Sequence, residues 1–190
     1  TQAIGSNRQH CVNLAVTQDV AGREWVHFTL KDFIEYAFSQ KGLIFFAHNG
    51  GKFDINLILE FLINHYSLVP RIHRCNGRII WLKVKDVVFR DSISHIATSL
   101  KKFPKMFGLT GSKGDFPHKF NTPENQDYVG PYPPLDAYGC DQKMSGDREK
   151  FIAWHEQKVQ EGAVFDFKKE MLDYCREDVR ILREGVMAYR

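Results

Sequence analysis

The sequence predicts an α/β protein, a mixed β-sheet with helices on both faces. Three observations lead there. Short β-branched and aromatic runs alternate with segments of helical period. Asn76-Gly77 separates two strand-like runs, a strong hairpin signal. Residues 43–47 (LIFFA) form a continuous apolar run that reads as a strand buried on both sides, followed by a glycine loop and a helix.

Each element has its own signal. Residues 12–18 and 25–30 read as strands joined by a turn at Ala21-Gly22, and 31–40 as a helix with Phe33, Ile34, Ala37 and Phe38 on one face. Gly42 stops that helix. After the 43–47 strand, residues 48–51 form a loop and 55–66 a helix with Leu57, Ile58, Phe61 and Leu62 inward. Residues 71–75 and 78–84 make the hairpin, and 87–91 another strand. Residues 99–107 read as a short basic helix that Pro104 kinks or ends. Residues 108–146 are rich in Gly, Pro, Asn and Asp without a period, a long loop or insertion in an otherwise single domain spanning 1–190. Helices follow at 147–161, capped by Asp147, and from 167 to about 189.

Composition narrows the class. The chain has 190 residues with 43% hydrophobic and 26% charged, which is globular. No apolar run reaches a membrane span, and residues 1–8 lack the apolar core of a secretory signal, so a nuclear or cytoplasmic protein is expected. Cysteines 11, 75, 140 and 175 show neither a C-x-x-C pair nor zinc spacing and read as reduced thiols. The net charge of +3 is uneven: residues 68–120 hold 11 Lys+Arg against 3 Asp+Glu. Such a basic middle third suits a polyanion, although a solvated surface also fits.

Two clusters could carry chemistry. His48-Asn49-Gly50-Gly51-Lys52-Phe53-Asp54 lies where a strand hands over to a helix, the usual ligand edge of an α/β sheet. Asp54 alone fits a helix cap equally well. Tyr174 and Asp178 stand four apart on the last helix, so they share a face. A phenol beside a carboxylate can orient water near a bound cation, but an ordinary amphipathic helix carries the same pair.

Together and in this order, Asn-x-x-x-Phe-Asp at 49–54 and Tyr-x-x-x-Asp at 174–178 resemble the second and third motifs of the proofreading 3′–5′ exonucleases. Phe89-Arg90-Asp91-Ser92-Ile93 with Ile96 is similar to the (S/T)-L-x-x-hydrophobic motif of the protein-primed family B DNA polymerases, and Lys113-Gly114-Asp115-Phe116 to their Lys-x-x-hydrophobic motif. Residues 116–134 and 165–185 resemble the polymerases of Polinton/Maverick transposable elements and their viral relatives. The resemblance implies a ribonuclease H-like fold and two-metal phosphodiester hydrolysis with Mg²⁺ or Mn²⁺. It assigns Asp54 and Asp178 as metal ligands, Tyr174 to orient the attacking water and Lys113 to stabilise phosphate charge. His48, Asn49, Phe53, Ser92 and Ile93 would hold the single-stranded DNA primer terminus. The implied partners are the polymerase domain of the same parent chain and a terminal protein primer.

One part of the pattern is missing. The family draws two further carboxylates from an Asp-x-Glu on a first strand, and the one Asp-x-Glu here, Asp147-Arg148-Glu149, lies between the second and third motifs. It reads as a helix start favoured by the helix dipole. The expectation is therefore a domain lacking its first strand and weak or inactive by itself. The alternatives are a catalytically dead single-stranded-DNA-binding module of the same fold, a stand-alone exonuclease, and a domesticated remnant with a structural role.

Overall fold

The computed structural model describes residues 2–4, 9–139 and 145–190. They form two compact units. One comprises Leu14–Lys113 with Asp178–Arg190, the other Thr1–Asn13 with Gly114–Glu177.

The first unit opens with an antiparallel pair, β3 (Ala15–Gln18) and β4 (Glu24–His27), preceded in chain order by β1 (Gln2–Ile4) and β2 (Gln9–Cys11) of the other unit. Thr29 then caps α1 (Leu30–Ser39), its hydroxyl accepting from the Asp32 amide at 3.1 Å. Next come β5 (Ile44–Ala47), α2 (Asp54–Tyr66), β6 (Arg71–Cys75), β7 (Arg78–Val84) and β8 (Val87–Asp91). The four strands form one mixed sheet in the order β5-β8-β7-β6, with β5 parallel to β8 and the rest antiparallel.

Strand parity builds the core. Leu82 pairs with Phe89 and Phe89 with Phe45, placing all three on one face, where Ile34 and Ala37 of α1 and Ile55, Ile58 and Leu62 of α2 are packed. Phe45 and Phe89 stack at 5.5 Å. A smaller cluster joins Ile96, Phe103 of α3 (Phe103–Phe107) and Ile181 of α5 (Phe167–Tyr189). Pro104 falls in the first turn of α3, where its missing N–H costs nothing, so it starts the helix instead of breaking it.

The expectation that 43–47 is buried on both sides is corrected. Ile44 is 50% and Phe46 38% exposed, because among the described residues β5 pairs only with β8 and only one of its faces meets the helices. An apolar run reports hydrophobicity but not how many faces are covered.

In the second unit, β9 (Val129–Pro131) pairs with β10 (Val164–Asp166), and α4 (Ser145–Gln160) lies between them in the chain. Phe116, Phe165 and Phe167 form its aromatic core. Asn13 ties β2's end to the loop region, its amide donating to Asn121 at 2.8 Å and Gln126 at 3.0 Å. The irregular stretch expected at 108–146 thus holds α-, 3₁₀- and β-elements as far as it is described. The helix 167–189 spans both units, with Phe167–Glu177 in this one and the rest in the first.

Cys11, Cys75 and Cys175 are free thiols, and Cys140 lies outside the described residues. Among the described residues no helix is long and apolar enough to cross a membrane.

Burial of His27 against Phe33 and Tyr36 has a consequence for pH. Its ring centroid lies 5.6 Å and 4.9 Å from theirs, and its Nε2 is buried without a partner. Desolvation lowers its pKa below 6.5, although Asp32 opposes this. The unfolded chain therefore takes up a proton first as pH falls. This contribution to stability is complete above about pH 6.5 and is lost below it. Between pH 7.5 and 5.5 the melting temperature should fall, and His27→Phe should shrink the fall. An unchanged slope in the variant would remove His27 from the cause.

Candidate active site

The loop between β5 and α2 is shaped by two glycines and by Asp91. Asn49 adopts a left-handed φ of 63°, turning the chain out of β5. A β-carbon on Gly50 would lie 2.7 Å from that of Ala47, and one on Gly51 only 2.1 Å from the Ile79 carbonyl oxygen. Only glycine lets the loop lie flat on the end of β7. The contact is fastened by bonds from the Ile79 amide to the Gly51 carbonyl (3.1 Å) and from the Gly51 amide to Asp91 Oδ2 (3.0 Å).

Asp91 was not assigned a role from the sequence, yet it is fully buried. Its Oδ1 accepts from the Ile93 amide at 3.1 Å. One carboxylate therefore sets both the β5–α2 loop and the turn that carries Ser92. The signal was readable: in Val87-Val88-Phe89-Arg90-Asp91 the acid falls at an inward position of the period-two pattern, with Val87 and Phe89.

Asp54 is the first residue of α2, and its carboxylate accepts from its own backbone amide. The residue is exposed, but protein packed around its carboxyl removes part of the hydration. That desolvation, with the charge of Asp91 adding to it, raises its pKa above the ordinary carboxylate value. Phe53 beside it is 62% exposed, an unusual position for a phenylalanine with no partner.

Asp178, on α5, is held differently. The Lys113 ammonium is paired with its Oδ2, and its Oδ1 is buried with no hydrogen-bond partner. A buried carboxylate oxygen without a donor is costly unless something binds there. A hard cation fits that oxygen. Among the described residues no group of three or more His, Cys, Asp or Glu could hold a metal.

His48 and Ser92 are joined to each other. His48 Nε2 lies 2.7 Å from the Thr98 carbonyl and Nδ1 3.0 Å from Ser92 Oγ, which is 3.1 Å from the Ala47 carbonyl. Burial lowers the His48 pKa, a shift that Thr98 and Asp91 oppose and that Arg78 and Lys113 reinforce. In a neutral ring Nε2–H donates to Thr98 and Nδ1 is an acceptor, so the one Ser92 hydroxyl proton is shared between Nδ1 and the Ala47 carbonyl. Asn49 Oδ1 accepts from Arg78, a partner the sequence did not reveal. Arg78 and Ile93 line an open groove of about 380 Å³ with Cys75, Ile80, Ser94 and Thr98.

Two pairs of the predicted residues are joined within one unit. His48 meets Ser92 and Lys113 pairs with Asp178, while the charge of Asp91 raises the pKa of both Asp54 and His48. Tyr174 belongs to the other unit, where its ring stacks on Phe116 at 5.4 Å and meets His118 edge-on at 5.5 Å. Asp147-Arg148-Glu149 lies exposed in the first turns of α4, as a helix start does.

No solved structure matches the chain. A probable DNA polymerase of Agaricus bitorquis is 31% identical over 150 residues, covering 73% of this chain and 17% of that protein. The chain thus spans about a sixth of its relative's length. The family model of type B DNA polymerases, organellar and viral, matches residues 34–189, including Asp54, Asp91, Lys113 and Asp178. The chain belongs to the organellar and viral type B DNA polymerase family.

Proposed function

We propose that the chain is the 3′–5′ proofreading exonuclease region of a protein-primed family B DNA polymerase, built on a ribonuclease H-like fold. The observation that carries the reading is Asp178. It has one oxygen on a lysine and, among the described residues, one buried oxygen with no partner, in the unit that also holds Asp54. Asp54 and Asp178 are the residues that would hold Mg²⁺ or Mn²⁺. When bound, such cations supply Lewis-acid and charge stabilisation at the scissile phosphate. Hydrolysis adds a water oxygen to the terminal phosphorus and breaks its bond to the 3′ oxygen, which leaves with a proton; a nucleoside 5′-monophosphate is released.

The chain's own residues have distinct parts in this reading. Lys113 places a positive charge beside Asp178, where it would stabilise phosphate charge. Tyr174, four residues earlier on α5, is the proposed water-orienting group. Asn49, exposed Phe53, and Ile93 in the groove hold the strand, with His48 and Ser92 fixing the loop under it. A stacked base needs no particular sequence, which suits a proofreader. The parent protein is proposed to polymerise DNA from a terminal protein primer, in the manner of Polinton/Maverick elements and related viruses.

The sparse ligand set favours a second reading, a single-stranded-DNA-binding module without catalysis. The experiment that separates them is removal of nucleotides from a 3′-end of a labelled single-stranded oligonucleotide with Mn²⁺. It should be run on this chain and on the complete reading frame. Stepwise shortening that Asp54→Asn abolishes supports the exonuclease. Binding without shortening in both proteins supports the module.

A further inference from the structure

The face of the four-stranded sheet turned away from α1 and α2 has an unusual composition. Register places Phe46, Arg90, Trp81 and His73 in one row across β5, β8, β7 and β6. The next row carries Lys83 and Arg71 on the same face. His73 and Trp81 have nearly parallel rings, 5.9 Å apart and 19° between planes. Arg71, His73, Phe46 and Lys83 are exposed, Trp81 and Arg90 half-buried.

The charge is one-sided. The four strands contain five arginines and lysines and a single carboxylate, Asp91, which is buried on the opposite face. Among the described residues Arg71, Lys83 and Arg90 form no ion pair. An obligate protein interface would deplete lysine and would need carboxylates to answer these cations. Flat rings interleaved with free cations match single-stranded nucleic acid, whose bases stack and whose phosphates need neutralising.

We propose that this face is a seat for single-stranded DNA that uses neither Asp54 nor Asp178. Bases stack on Trp81 and Phe46, and Arg71, Lys83 and Arg90 hold the phosphates. The seat does not depend on hydrolysis and stands if the exonuclease reading fails.

The test is equilibrium binding of a labelled oligothymidylate of about twenty nucleotides to the whole chain at two salt concentrations. Trp81→Ala is expected to weaken binding about tenfold. The triple variant Arg71→Ala, Lys83→Ala, Arg90→Ala should make the salt slope shallower by about 2, roughly 0.7 per lost phosphate contact. Circular dichroism checks that each variant is folded. In a chain whose only tryptophan is Trp81 (Trp25→Phe, Trp154→Phe), oligothymidylate should quench emission. Lys31→Ala, which removes an exposed cation of α1 outside this face, should bind as tightly as the parent, which separates this seat from general surface charge. Unaltered affinity and slope in both variants, or no binding by the chain at all, overturns the proposal. So does Trp81 emission that responds to the remaining polymerase polypeptide but not to the oligonucleotide, which would make the face a protein interface.

Discussion

Gly51→Ala is expected to lower stability by about 3–5 kcal/mol. The new β-carbon would sit 2.1 Å from the Ile79 carbonyl oxygen and 2.9 Å from Asp91 Oδ2. Ile79 is fully buried in β7, inside a four-stranded sheet, so its carbonyl cannot swing aside as a flexible side-chain end could. The loop must lift instead. Lifting breaks the Gly51 amide bond to Asp91 and the Ile79 amide bond to Gly51. Overpacking costs about 1–3 kcal/mol, and a lost hydrogen bond to a buried charge about 1.5–3 kcal/mol. For a chain of this size the melting temperature should fall by about 10 °C. Asp91→Asn should cost about 2–3 kcal/mol by loosening the same contact. The double variant should then lose clearly less than the sum, because both changes remove one shared bond. A loss below 1 kcal/mol for Gly51→Ala, or full additivity, would mean that the loop is not clamped by Asp91.

The same contact shows where sequence reading succeeds and where it stops. The bounds of β6, β7, β8 and α5 were legible because their signals are local: Asn76-Gly77 between two alternating runs, and a long helical period. Helices α1 and α2 begin one residue earlier than periodicity indicates, since Leu30, apolar and packed on the core, also reads as the end of the preceding strand and Asp54 carries no apolar-face signal. The β1–β2 and β9–β10 pairs were not legible. Three-residue strands show no period, and β9 and β10 are separated by more than thirty residues. Asp54, Lys113 and Asp178 could be named as site candidates from motif alone, and that much was legible. Their electrostatic setting was not, because it comes from partners distant in sequence, such as Arg78 on Asn49 and Asp91 on Gly51. Whether Ile44 and Phe46 are covered also depends on neighbours that a single strand's composition cannot name.

Asp54→Asn should abolish 3′-end removal while leaving the fold at least as stable, and this combination distinguishes a reactive carboxylate from a structural one. At pH 7 the raised pKa of Asp54 means that its charged form is less favourable in the folded chain than in the unfolded one. The sign follows directly. Its contribution to stability is complete below the unfolded value of 3.8 and is lost as pH rises through the higher folded value. Removing the charge therefore relieves a cost at neutral pH, and the melting temperature should stay or rise. Asp91→Asn should behave in the opposite way, because its carboxylate accepts two backbone amides that the substitution leaves poorly matched. For activity, losing a cation ligand should remove about 4 kcal/mol of transition-state stabilisation, or roughly a thousandfold in rate. Asp178→Asn should match it, and the pair together should be little worse than either alone, since residues acting as one unit are not additive. Lys113→Ala should cost less, about ten- to a hundredfold, because it removes one charge-assisted contact and leaves both carboxylates. Nucleotide incorporation by the complete polymerase should be unaffected by all three. Retained nuclease activity in Asp54→Asn, or a destabilised Asp54→Asn that loses activity only by unfolding, would move Asp54 out of the chemistry and leave it a structural residue of the β5–α2 turn.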